Sequence, residues 1–136
     1  MKLKSLLFLM CFSLFSNLYA TNVHTHPQAK NSDSKSTVRA YSCEIQIINQ
    51  SYFNVFVYGV FDDGSRIEFP IYQGDAPHYI DLYYGYTPYD SYCHNGMNLT
   101  IESPYGIVYS GWANVNDTIR IVPYMNKQAK AEISSR

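Results

Sequence analysis

Lysine is missing from the middle of this chain. Between Val38 and Tyr124 the bases are Arg39, Arg66 and Arg120, set against nine acids: Glu44, Asp62, Asp63, Glu68, Asp75, Asp81, Asp90, Glu102 and Asp117. So little positive charge argues against nucleic acid as a partner, because Lys and Arg neutralising phosphates supply most of that affinity. It argues equally against an anionic membrane surface. The acids instead keep soluble a chain with 14 tyrosines. The flanks are mildly basic, through Lys30, Lys35, Lys127, Lys130 and Arg136.

Catalytic signatures are also lacking. There is no Gly-x-Ser-x-Gly elbow and no His-Glu-x-x-His helix, and no motif calls for a cofactor. Of the four histidines, His78 and His94 fall in the central region. His94 follows Cys93 directly, and neighbouring strand residues face opposite ways, so the two do not make a nucleophile and base. Asp75 and His78 can approach one another in the loop Gly74-Asp75-Ala76-Pro77-His78. A small hydrolase using His78 or carboxylates is the enzymatic alternative, but no catalytic residue is assigned. The pair Asp62-Asp63 lacks the spaced oxygen ladder of a calcium loop and reads as a solvated hairpin turn.

Long apolar runs are scarce. The one at residues 6–15 follows Lys2 and Lys4 and leads to Leu18-Tyr19-Ala20. It is too short to span a bilayer. The order of charged, apolar and small residues is that of a secretory signal peptide cleaved near Ala20. The mature chain is therefore expected to be secreted or periplasmic, without stable membrane insertion.

Two polar segments, 21–37 and 125–136, read as flexible arms, the second with a turn or two of helix across 127–132. Between them, at 38–124, the hydrophobic period is two. Ile67, Phe69 and Ile71 alternate with Arg66, Glu68 and Pro70; Ile80, Leu82 and Tyr84 with Tyr79, Asp81 and Tyr83; Met97, Leu99 and Ile101 with Asn98, Thr100 and Glu102. The run 52–61 is apolar on both faces and reads as a central strand. Turns fall at Asp62-Asp63-Gly64-Ser65, Ser103-Pro104-Tyr105-Gly106 and Asn114-Val115-Asn116-Asp117. The pattern predicts an all-β domain, a single antiparallel β-sandwich of about seven short strands; a small β-barrel is the alternative. Cys43 and Cys93 share the parity of their strands' apolar residues, so both are expected to face the core and form a disulfide, as the compartment permits.

What the chain has in excess is tyrosine. Half of Tyr83-Tyr84-Gly85-Tyr86-Thr87-Pro88-Tyr89-Asp90-Ser91-Tyr92 is tyrosine among small polar residues, the composition of a recognition loop. Tyr86, Tyr89 and Tyr92 are the candidate binding residues, with Asp90, Tyr79 and Trp112 as neighbours. The leading reading is a non-enzymatic module that presents this loop to a protein or glycan. An acidic inhibitor of a secreted basic enzyme is the variant within that class. His24-Thr25-His26 near the mature N-terminus is a candidate weak Cu, Ni or Zn site. Asn49, Asn98 and Asn116 begin Asn-x-Ser/Thr triplets.

Overall fold

The period-two pattern is realised as strands throughout the computed structural model, which describes residues 22–27, 43–84, 92–125 and 128–135. In chain order the strands are β1 (Asn22–Thr25), β2 (Glu44–Asn49), β3 (Val55–Val60), β4 (Arg66–Ile71), β5 (His78–Asp81), β6 (Tyr83–Tyr84), β7 (Tyr92–Cys93), β8 (Gly96–Ser103), β9 (Gly106–Asn114), β10 (Asp117–Tyr124) and β11 (Gln128–Ser135). One sheet runs β1-β5-β2-β10-β11 and a second β4-β3-β8-β9, while β6 and β7 pair as a separate ribbon. The architecture is all-β and not closed into a barrel, consistent with a β-sandwich.

The buried residues are those the alternation selects. Ile45, Ile47, Ile80, Ile119 and Ile121 of the first sheet join Val55, Val57, Phe69, Ile71, Leu99 and Ile101 of the second in one apolar cluster. Each such side chain, once buried, contributes roughly 1.5–3 kcal/mol. The expected turns close β3–β4, β8–β9 and β9–β10, with Gly64 at φ 83° in the first and Asn116 at φ 69° in the last. Positive φ there is cheap for Gly and tolerable for Asn. β3 takes an interior position, but only one face is dry: Val55 and Val57 point inward, and Tyr58 outward.

Three expectations are corrected. Residues 22–25, read as part of a flexible arm, form β1 and pair in parallel with β5, Asn22 opposite His78 and His24 opposite Ile80. Residues 128–135, read as tail with a little helix, form β11 along the full length of β10. There Ala129 and Ala131 pack against the core while Lys130 and Glu132 face out. Pairing to a preformed edge overrides the helix propensity of the Lys-Gln-Ala-Lys-Ala-Glu run. Charges on such an outer strand also discourage further pairing.

The third correction concerns Cys93. The disulfide to Cys43 is present, with Cα atoms 5.8 Å apart, and Cys43 is buried, but Cys93 is exposed. The inward direction falls to His94 instead, because alternation slips between Gly96 and Met97, both of which are buried. Gly96 permits the slip: a Cβ there would overlap the Ala113 carbonyl oxygen and lie 2.8 Å from the Trp112 indole nitrogen.

Candidate functional site

Two clusters of histidine and aspartate result from this arrangement. The first forms where β1 docks. His24 stacks on Phe69, ring centroids 3.4 Å apart and planes 8° from parallel, and its Nε2 lies 2.7 Å from His78 Nδ1. The other nitrogen of His78 is 3.2 Å from Asn22 Nδ2 and 3.4 Å from Asp75 Oδ2. Asp75 and His78 thus meet as the loop spacing suggested. Burial, together with the charge of nearby His78, pushes the His24 pKa down to about 4. Burial also lowers that of His78, partly offset by Asp75. His24 is therefore neutral near pH 7; it bonds His78, whose Nε2 either accepts from Asn22 or donates to Asp75.

The second cluster gathers three segments distant in sequence: the residue following β1, the β3–β4 turn and the residue following β7. His26 is buried, edge-on to Phe61 at 4.3 Å. Its Nε2 lies 2.8 Å from Ser65 Oγ and 3.1 Å from Asp63 Oδ2. Ser65 donates to Asp63 Oδ1 from its hydroxyl at 2.6 Å and from its backbone N–H at 2.8 Å. These two bonds hold the Asp63 carboxyl below the usual carboxylate range. Since the Ser65 proton is directed at Asp63, the bonding assigns a hydrogen to His26 Nε2. Ser65 and Asp63 meet the same ring nitrogen, whereas a serine–histidine–aspartate triad places its carboxylate on the opposite one.

His94 completes the cluster. It is 4 % exposed, its ring stacks on Tyr84 at 4.1 Å, and it lies 5.0 Å from the His26 ring. Asp62 Oδ1 approaches Nδ1 to 2.5 Å, but without hydrogen-bond geometry, so both ring nitrogens are buried with no hydrogen bond. One ligating atom from each of His26, Asp63 and His94 lies within 4.8 Å of the others. Two imidazoles and a carboxylate are a donor set suited to a transition ion.

The remaining candidate residues are spread over the fold. Tyr86, Tyr89 and Asp90 lie outside the described residues. Tyr92, on β7, is 60 % exposed and packs across the ribbon against Tyr84 at 5.6 Å. Tyr84, expected to face inward, is exposed because it belongs to that ribbon rather than continuing β5. Tyr79 is on β5, where its hydroxyl accepts from Gln46 Nε2 at 2.9 Å. Trp112 is on β9, 44 % exposed and opposite Asn98. Asn49 is buried and donates to the Phe53 carbonyl at 2.7 Å, bracing the chain after β2. The metal expectation paired His24 with His26; the structure groups His26 with Asp63 and His94, and His24 with His78. From sequence alone Asp63 reads as a solvated turn and His94 as the outward neighbour of Cys93. No family model, curated protein or solved structure matches the chain.

Proposed function

We propose that the protein is a non-enzymatic binding module acting outside the cytoplasm, which presents its tyrosine-rich segment to a protein or glycan. The observation that carries the reading is the β6–β7 ribbon, which pairs with neither sheet and exposes Tyr84 and Tyr92. The Cys43–Cys93 disulfide sits at its root, tying β7 to the chain entering β2. A contact surface held in place loses little entropy on docking, and tyrosine adds large amphipathic area with few torsions to freeze. The disulfide is compatible with an oxidising compartment. Among the described residues no helix is long and apolar enough to cross a membrane. The leader-like residues 1–20 support export in the same sense.

The test compares the native chain with a Tyr86→Ala/Tyr89→Ala/Tyr92→Ala variant on a glycan array and against proteins of the surrounding extracytoplasmic fraction. A ligand held by the native chain and lost by a variant with an unchanged denaturation midpoint supports the module. Binding that survives all three substitutions makes these rings structural and removes the ribbon from the site.

A further inference from the structure

We propose that His26, Asp63 and His94 bind one divalent transition-metal ion of the zinc class. The inference is independent of what the tyrosine ribbon recognises. It rests first on placement: three segments, none adjacent in sequence, bring one donor atom each within 4.8 Å of the others. It rests next on His94, whose two ring nitrogens are buried without a hydrogen bond. Asp62 closes on Nδ1 as an ion-pair contact, but Nε2 has no polar partner, and a buried polar atom left so points to a ligand.

The donor chemistry selects the ion. Imidazole nitrogen is a poor ligand for Ca²⁺ or Mg²⁺, which take oxygen, and a good one for Zn²⁺ and its neighbours. Zinc bonds of about 2.0–2.1 Å require the donors to draw inward, and Asp63 sits on the solvent-facing turn where that movement is easiest. At His26 the ion substitutes for a proton. The Nε2 hydrogen directed at Ser65 and Asp63 is displaced to the other ring nitrogen or to solvent, and the cation takes over the attraction to the carboxylate. Ser65, bonded to Asp63, and Asp62, against His94, stand where outer groups orient the primary ligands. Phe61 and Tyr84 wall the cluster with rings. A bound ion would cross-link the N-terminal segment to the β3–β4 turn and to the root of the ribbon.

The experiment is Zn²⁺ titration of the full chain, with the metal retained after dialysis measured, repeated for His94→Gln, Asp63→Asn and Asp75→Asn. The expected result is one ion per chain, weakened at least about tenfold in His94→Gln and Asp63→Asn and unchanged in Asp75→Asn, which alters the other cluster. Excess Ca²⁺ should not displace it. Co²⁺ in its place should show the visible absorption of a four-coordinate ion. No retention by the native chain overturns the proposal, as does retention undiminished in both ligand variants. Displacement by Ca²⁺ overturns the assignment of the ion. Should His94→Gln fail to fold, Asp63→Asn, on an exposed turn, still decides.

Discussion

His24 and His26 stand two residues apart on one short segment, facing the same side, yet they enter different kinds of cluster. His24 meets Phe69 and His78, and His78 in turn reaches Asn22 and Asp75. His26 meets Phe61, Asp63 and Ser65, beside a histidine whose nitrogens have no hydrogen bond. The residue types are nearly the same; their degree of satisfaction is not. A set bonded among its own side chains fastens β1 to the sandwich, whereas a buried ring nitrogen without a hydrogen bond leaves coordinating capacity for something else. Histidine content alone therefore says little about metal binding; the count of unmet hydrogen bonds separates the two cases.

The comparison can be broken most forcefully at the disulfide. Replacing Cys43 and Cys93 with serine opens a loop with a sequence separation of 50, and the chain should lose about 4 kcal/mol of stability, read from denaturant unfolding. His94 follows Cys93, so Zn²⁺ affinity should fall in the same variant while the His24–His78 contacts persist. Saturating Zn²⁺ comes next in size. At a hundredfold excess over Kd it should stabilise the native chain by about 2.7 kcal/mol, and at the same concentration that increment should shrink to about 1.4 kcal/mol or less in His94→Gln.

His24→Ala tests the fastening cluster. It removes the stack on Phe69 and the bond to His78, and should cost about 1–2 kcal/mol. The loosened β1 should expose its amides to faster hydrogen exchange. The same cluster sets a pH dependence. Both His24 and His78 have folded-state pKa values below the ordinary 6.5, so the unfolded chain binds more protons between those values. The stability they contribute is full above pH 6.5, declines as pH falls, and for His24 is gone below about 4. Denaturation midpoints across that window should fall less steeply in His24→Gln than in the native chain.

Much of the fold was legible because burial on one face writes itself as alternation. Phe69 and Ile71, or Met97, Leu99 and Ile101, are buried as the alternation requires, with Ile67 packed at the edge of the core. The terminal strands were hidden because their partners are remote: β1 needs β5 and β11 needs β10, and neither segment has enough apolar residues to declare itself. The second cluster was hidden for a sharper reason. Counting parity back from Met97 turns Cys93 inward and His94 outward, and the slip at Gly96 reverses both. A glycine at the start of a strand was the one available sign that the count could shift. Asp63 carries only the signal of turn solvation, a role it also performs through Ser65. Only the position of His26 above that turn gives it a second role.

The most direct test of the contrast between the clusters is a ¹⁵N spectrum of the histidine side chains during Zn²⁺ titration. The account predicts that the ring nitrogens of His26 and His94 shift together to saturation at one ion per chain, while those of His24 and His78 stay in place. Shifts at His24 and His78 instead, or none at any histidine, would contradict it.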